Sequence, residues 1–384
     1  MTRALVAVRP DGRFTIAHLC FKVLAGCTPL PLIVECVITH SAIEPALLPY
    51  PMKSRILVCI CLGLFALQCP TSAAESRVRA PSFTARPGSS LTVVPNWPQL
   101  PADIELQKLS SVAIDSRGFV YVAHRWEHPL LCLNPDGTLQ RLVGEEVHRK
   151  SVAYDLRGAQ PLAMEKRYWL HSLHVDRWDN LWVTDVGRHL IFKFDPRGKL
   201  LMTLGVDGEH GTDDKRFYQP TQVCVAPSGE IFVTDGYGNS RVVKLSAEGK
   251  FLQSWGVRGP GLGEFFTPHC LTMDADGLLY VADRENDRVQ VFDQQGRFKA
   301  VWPNLHSVDG LYAAADGFIY GSAGLDHALI RLNRSGQLLD VWAEPGMFTY
   351  PHGICVDSAG NIYAAETKSN RLLKLRRANA TSAK

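Results

Sequence analysis

The sequence lacks the features that mark several common classes of protein. Its formal net charge is only +3, charged residues make up 21% of 384, and no run of Lys and Arg with interleaved aromatics occurs, which argues against nucleic-acid binding. Six of the ten cysteines lie in the first 74 residues, so the remainder has no disulfide framework. No helical periodicity of useful length follows residue 74. The remaining length suffices for one large all-β domain.

The N-terminal region carries the one long apolar run. Residues 52–74, "MKSRILVCICLGLFALQCPTSAA", combine basic residues, an apolar stretch and small residues, which predicts a signal peptide and export to the periplasm or medium. We interpret residues 1–51 as an upstream extension from a mis-called gene start, because Met52 begins the signal. A transmembrane anchor is the alternative, although the apolar stretch is shorter than the ~20 residues that a span needs. The mature protein is expected to have no stable membrane span.

An internal repeat organises the rest of the chain. Each copy contains a short apolar run, an Asp-x-x-Gly element and an aromatic-rich strand, and turn sequences such as "DPRG" and "NRSG" separate the strands. The anchor positions of the six copies are Asp115, Asp176, Ala226, Asp274, Ala314 and Asp357. Their spacing of about 40 to 61 residues is typical of propeller blades. Four short strands per copy, repeated radially, predict an all-β, six-bladed β-propeller.

Domain limits follow from this repeat. Residues 108–376 are predicted to form the propeller, residues 75–107 a linker, and residues 377–384 a disordered tail. The last copy lacks its outermost strand. The segment "SLTVVP" at residues 90–95 is expected to supply that strand and close the ring.

Histidine recurs at one position of alternate copies. His171, His269 and His352 each lie five residues before the anchor position, at the start of the innermost strand. The other three copies have Ser110, Thr221 and Asp309 there. In a closed ring the three imidazoles would stand roughly 120° apart and point at the axis. Three imidazoles with an open fourth position predict a zinc site, with Asp309 as a candidate supporting partner.

The quoted segments resemble a known family. The copies are similar to NHL repeats, and "HSLHVDRWDNLWVTDV", "DGYGNSR", "AHRWEH" and "YPHGICVD" together resemble the peptidyl-α-hydroxyglycine α-amidating lyases. The resemblance implies that His171, His269 and His352 hold zinc and that Tyr237 acts as catalytic base, with Arg125 and Arg284 near the substrate. It also implies a calcium ion on the backbone carbonyls of Val112 and Leu173 plus an aspartate after the third histidine.

The sequence departs from the family pattern at several positions. Gly353 replaces the calcium-binding aspartate, which puts calcium in doubt, and Tyr350 replaces a methionine at the pocket wall. Two family disulfides are absent with both partners replaced, in the pairs Tyr218 with Gly238 and Tyr280 with Val291. A paired loss is compatible with an intact fold.

The resemblance implies a lyase that breaks the C–N bond of a peptidyl-α-hydroxyglycine-like hemiaminal to give an amide and glyoxylate. Zinc would take the hydroxyl, an arginine the carboxylate, and Tyr237 the hydroxyl proton. The expected partner is a peptide or small molecule with a carboxylate end. Two alternatives remain open: a non-catalytic exported propeller that binds a protein or glycan, and a lyase of another propeller family, such as those that open cyclic antibiotics.

Overall fold

The computed structural model describes the strands between residues 2 and 42, residues 82–85 and residues 90–377. The chain divides into two compact units, Met1–Glu75 and Ser76–Lys384. In the first unit, β1 (Thr2–Val8), β2 (Phe14–Phe21) and β3 (Cys36–Ala42) form an antiparallel sheet in that order. The predicted signal peptide and most of the predicted tail lie outside the described residues.

The second unit is the six-bladed β-propeller that the repeat predicts. Six sheets of four antiparallel strands follow one another along the chain, and the first strand of each sheet contacts the first strands of the neighbouring sheets. The strands, grouped by blade from one to five, are β5 (Ser111–Ile114), β6 (Val120–Ala123), β7 (Leu130–Leu133) and β8 (Leu139–Leu142); β11 (Leu170–Val175), β12 (Leu181–Asp185), β13 (Leu190–Phe194) and β14 (Leu200–Leu204); β15 (Gln222–Val225), β16 (Ile231–Asp235), β17 (Arg241–Leu245) and β18 (Phe251–Trp255); β19 (Pro268–Met273), β20 (Leu279–Asp283), β21 (Arg288–Phe292) and β22 (Phe298–Pro303); and β23 (Gly310–Ala313), β24 (Ile319–Ala323), β25 (Ala328–Leu332) and β26 (Leu338–Trp342).

Blade six joins the two ends of the propeller. Its inner strands are β27 (Pro351–Val356), β28 (Ile362–Glu366) and β29 (Leu372–Arg377), and its outermost strand is β4 (Leu91–Val93). The closing pair is antiparallel, with Leu375 opposite Val93. The earliest strand of the ring thus completes the last sheet, so that no blade edge is left unpaired at the junction.

The Asp-x-x-Gly element sets the turn between the first two strands of a blade. In blade one, Asp115 Oδ1 accepts hydrogen bonds from the backbone N–H groups of Arg117 (3.0 Å) and Phe119 (2.9 Å). Gly118 takes φ of +85°, a conformation that glycine adopts at little cost. The Asp176, Asp274 and Asp357 carboxylates accept equivalent bonds. Local turn chemistry therefore explains why the aspartate recurs.

Apolar side chains from facing sheets fill the space between blades. Val183 and Phe192 of blade two pack with Tyr121 and Cys132 of blade one, for example. The four cysteines of the propeller are buried and free, as expected of small core residues.

The long spacing between the first two anchor positions reflects an insertion. Between blades one and two the chain forms a two-stranded hairpin, β9 (Tyr154–Asp155) with β10 (Leu162–Ala163). One short 3-10 helix, η1 (Arg284–Asn286), follows β20. In the described part of the chain no helix is long and apolar enough to cross a membrane.

Candidate metal centre and adjoining cavity

Each of the three histidines lies at a bulge in the innermost strand of its blade. The register between the first and second strands shifts across His171, across His269 and across His352. The innermost strands of blades one, three and five pair with their neighbours without such a shift. A bulged residue leaves the ladder and its side chain is redirected. The bulges therefore turn the three imidazoles towards one point.

The three imidazoles form one buried cluster. Their ring centroids lie 4.8, 4.9 and 5.1 Å apart, and their candidate ligand atoms all lie within 4.8 Å of one another. The side chains are nearly inaccessible to solvent. Among the described residues this is the one group of three His, Cys, Asp or Glu side chains that could hold a metal ion.

Backbone carbonyls of the intervening blades fix the tautomer of every histidine. The Nδ1 atoms of His171, His269 and His352 lie 2.7, 2.7 and 2.6 Å from the carbonyl oxygens of Thr221, Asp309 and Ser110. A carbonyl only accepts, so each Nδ1 carries the proton and donates it. Each Nε2 is then left with a lone pair directed at the cluster. The non-histidine members of the repeat position thus hold the histidines in place.

The electrostatics favour neutral imidazoles. Burial lowers the pKa of His171 and of His269 well below 6.5, and neighbouring cations lower both further. Burial, with Arg125, lowers the pKa of His352 to about 3. The lone pairs therefore remain available at neutral pH, which is the state in which imidazole binds a metal.

Tyr237 approaches two of the lone pairs at once. Its hydroxyl lies 2.9 Å from His171 Nε2 and 2.8 Å from His269 Nε2. One hydroxyl has one proton, so it can satisfy only one of these acceptors. Three converging acceptors with a single hydroxyl proton between them fit a bound cation, and imidazole donors suit transition metals such as zinc, copper, iron and nickel.

Two arginines approach the cluster from the same loop position of different blades. Arg284 is tied to acidic partners, since it donates to Asp309 Oδ1 at 3.2 Å and to Glu285 Oε1 at 3.0 Å. Arg125 stacks on Trp169 at 4.9 Å and has no carboxylate partner among the described residues, and its Nε makes no hydrogen bond. Burial lowers the pKa of Arg125. A desolvated cation without a counter-charge attracts an anionic ligand.

A cavity of about 330 Å³ opens beside the histidine cluster. His352, Tyr237, Arg125 and Arg284 line its inner part, together with Trp169 and Tyr350. The β9–β10 hairpin and the loops of blades five and six line its outer part, through Tyr154, Asp155, Leu156, Arg157, Met164, Leu325, Thr367 and Lys368. We call this space the site cavity. The structure therefore brings all six residues of the predicted metal and substrate site to one place.

The residues around the implied calcium position do not fit that ion. Calcium takes six to eight oxygen ligands, with carboxylates among them. A Cβ atom on Gly353 would lie 2.5 Å from the Ser111 Cα atom, so this backbone leaves no room for an aspartate. The Leu173 carbonyl faces the Gln222 side-chain amide at 3.5 Å, and the Leu173 N–H donates to Ser111 Oγ. The calcium expectation at Val112 and Leu173 therefore has no support here.

The replaced disulfide positions are adjacent, as paired replacement requires. The Gly238 N–H donates to the Tyr218 carbonyl at 2.9 Å, and a Cβ on Gly238 would lie 2.1 Å from the Tyr218 ring. Tyr280 and Val291 are direct cross-strand partners. The first pair is now a Tyr218 ring packed on Gly238, and the second is a cross-strand contact between Tyr280 and Val291.

Comparison with known proteins identifies the repeat type and the fold. The NHL-repeat model matches residues 217–245, 267–292 and 348–375, which lie in blades three, four and six. The fold is shared with a streptogramin B lyase structure at a TM-score of 0.51, with 15% identity over 76% of this chain and 98% of that one. The chain is a six-bladed β-propeller that contains NHL repeats in blades three, four and six.

Sequence similarity to named proteins is more specific than the repeat type. The chain is 31% identical to the peptidyl-alpha-hydroxyglycine alpha-amidating lyase 1 of Drosophila melanogaster, over 72% of this chain and 58% of that protein. It is 32% identical to the peptidyl-glycine alpha-amidating monooxygenase of Mus musculus, over 70% of this chain and 30% of that protein. The chain is thus homologous to the amidating lyases, although it spans little more than half of the fly protein and under a third of the mouse protein.

Two parts of the site lack a motif of their own in the sequence. The β9–β10 hairpin corresponds only to the extra spacing between Asp115 and Asp176. Leu325 occupies the same loop position as Tyr237, directly after a glycine, and aligning "AGLDH" with "DGYGN" reveals this equivalence.

Proposed function

We propose that the protein is a zinc-dependent lyase that converts a peptidyl-α-hydroxyglycine, or a similar hemiaminal, into an amide and glyoxylate. The observation that carries the proposal is the set of three converging Nε2 lone pairs, with Tyr237 among them and Arg125, which has no carboxylate partner among the described residues, beside them. Homology to the amidating lyases supports the same reaction class.

The metal would be held by Nε2 of His171, His269 and His352. Bound there, zinc supplies Lewis acidity, which stabilises negative charge on a substrate oxygen. The three Nδ1–H donations to backbone carbonyls keep the imidazoles in the tautomer and orientation that metal binding needs.

The chain's own residues account for the remaining steps. Arg125 binds the substrate carboxylate through charge-assisted hydrogen bonds, because it has no competing carboxylate in the described structure. Tyr237, whose ring lies 5.6 Å from the Arg284 guanidinium, removes the hydroxyl proton of the substrate. Arg284 stays paired with Asp309 and contributes positive charge over the Tyr237 ring.

The bond changes balance without water or an oxidant. Tyr237 acts in its phenolate form. As the substrate hydroxyl proton passes to the phenolate oxygen, the carbon–oxygen bond becomes a carbonyl and the C–N bond breaks. The electron pair of that bond goes to the amide nitrogen, which takes the proton back from Tyr237. The products are a primary amide and glyoxylate.

Metal analysis and glyoxylate release test the proposal together. We expect one zinc per purified chain, loss of zinc in His269→Ala, and glyoxylate from an α-hydroxyglycine compound. Glyoxylate absent from a zinc-loaded sample rejects the substrate class. A correctly folded protein that binds no metal rejects the enzyme and supports a binding scaffold.

A further inference from the structure

The mouth of the site cavity has an apolar side that the proposed reaction does not use. Leu325 and Met164 line the cavity, yet they are 48% and 40% exposed, whereas Tyr237 and His352 lie in its inner part. Tyr154, also 39% exposed, lines the cavity too. Apolar side chains at a cavity mouth, next to a polar interior, are typical of a subsite that a ligand covers.

Leu325 lies at a loop position from which other blades also direct a residue towards the cavity. In each blade the loop after the second strand faces the site. Blades one, two, four and six use the residue ten positions after the anchor, which is Arg125, Val186, Arg284 or Thr367. Blades three and five have glycine there, and the next residues, Tyr237 and Leu325, line the cavity instead. A Cβ on Gly324 would lie 2.5 Å from the Tyr350 ring, so glycine is required for this approach.

The loop that carries Leu325 is fixed on both sides. The Gly324 N–H donates to Asp309 Oδ2 at 2.9 Å. The Asp326 carboxylate accepts from the Phe83 N–H at 3.2 Å and pairs with His306 Nδ1 at 2.8 Å. Exposure of Leu325 is therefore a property of an ordered loop.

The opposite wall is held equally well. Gln219 is buried and its amide binds the Tyr154 backbone twice, accepting from N–H at 2.6 Å and donating to the carbonyl at 2.8 Å. The Met164 N–H donates to the Ala153 carbonyl, which fixes the other strand of the hairpin. Two anchored segments thus contribute exposed apolar groups to the lining of the cavity.

The position of the cationic Arg125 determines which part of a substrate lies at the mouth of the site cavity. A carboxylate bound by Arg125 and a hydroxyl beside Tyr237 occupy the inner cavity, so the acyl side of the substrate must extend outwards. At the mouth Arg157 pairs with Asp155 at 2.7 Å, and Lys368 lies over the Tyr350 ring at 4.6 Å. Leu325 and Met164 offer apolar contacts to the outward part of the substrate.

We infer that Leu325 and Met164 form a subsite that selects substrates with an apolar side chain on the residue preceding the hydroxyglycine. This inference rests on the proposed lyase function. The test uses N-acetyl-X-α-hydroxyglycine, with X as Leu, Gly or Glu, and compares kcat/KM for glyoxylate release. We expect the Leu compound to exceed the Gly and Glu compounds by tenfold or more, since apolar pockets give discrimination on the order of 10–200-fold.

Variants assign the preference to these residues. Leu325→Ser and Met164→Ser should each reduce the Leu-to-Gly ratio several-fold. Leu252→Ser, which removes an equally exposed leucine (49%) from the outer strand of blade three, should leave the ratio unchanged. Thermal unfolding of each variant identifies any that fails to fold.

The outcomes separate the two proposals. Glyoxylate from all three compounds at equal rates, or fastest from the Glu compound, overturns the subsite and leaves the lyase standing. Wild-type discrimination that survives in both serine variants also overturns it. No glyoxylate from any compound removes the lyase function and the subsite with it.

Discussion

Arg125 and Arg284 occupy the same loop position in two blades, and the structure predicts opposite effects on stability when each is replaced by methionine. Arg125 has no carboxylate partner in the described structure, whereas Arg284 pairs with Asp309 and Glu285. Methionine keeps much of the apolar volume and removes the charge.

Two opposing contributions determine whether Arg125→Met raises or lowers the free energy of unfolding. Arg125→Met loses a cation–π contact with Trp169, worth about 1 kcal/mol. It also removes the desolvation cost of a partly buried cation that has no carboxylate partner in the described structure, which is about 2 kcal/mol at such a site. The free energy of unfolding should therefore rise by about 1 kcal/mol or more, and the melting temperature by about 2 °C or more. Loss of two charge-assisted hydrogen bonds to substrate, about 1.5–3 kcal/mol each, should lower kcat/KM by roughly 10²–10⁴.

Arg284→Met should instead lower the free energy of unfolding by about 3–5 kcal/mol, because it leaves the buried Asp309 carboxylate without its counter-charge. Calorimetric melting and steady-state glyoxylate kinetics on both variants measure the two effects. A fall in the stability of Arg125→Met comparable to that of Arg284→Met would show that Arg125 has a structural partner, and the carboxylate-binding role would then lose its physical basis.

Two other substitutions probe the site and the core. Tyr237→Phe keeps the ring 5.2 Å from His171 and 5.4 Å from His269 but removes the hydroxyl. The kcat value should fall by roughly 10²–10⁴, while the metal content measured by elemental analysis stays unchanged. A fully active variant would refute the role of Tyr237 as catalytic base. His148 is 6% exposed, packs on Phe192 and Phe194, and neither ring nitrogen makes a hydrogen bond in the described structure. Burial, with Arg188, lowers the pKa of His148 to about 3, so the neutral form stabilises the fold above pH 6.5 and that stability is lost as pH falls towards 3. Acidification from pH 7 to 5 should therefore lower the free energy of unfolding by about 2 kcal/mol less in His148→Leu than in the wild type. Urea unfolding at both pH values measures this difference, and an unchanged pH dependence would contradict this account.

The repeat could be read from the sequence because its signals are local. Asp115 and its equivalents close a tight turn through bonds to residues two and four positions later, and alternating apolar residues encode the strands. Six such units can bury their faces only against one another, so the ring follows from the repeat number. The convergence of His171, His269 and His352 follows from the same symmetry.

Tertiary structure alone decided the rest, because the partners are far apart in the chain. The Ser110 carbonyl accepts from His352 across 242 residues, a contact that forms only when the ring is closed. Ring closure likewise placed Arg284 with its carboxylate partners, and Arg125 with none among the described residues, on one cavity, although both loops look generic in sequence. Sequence determines which side chains point at the axis; the packing of each blade against the next determines their charge, tautomer and exposure.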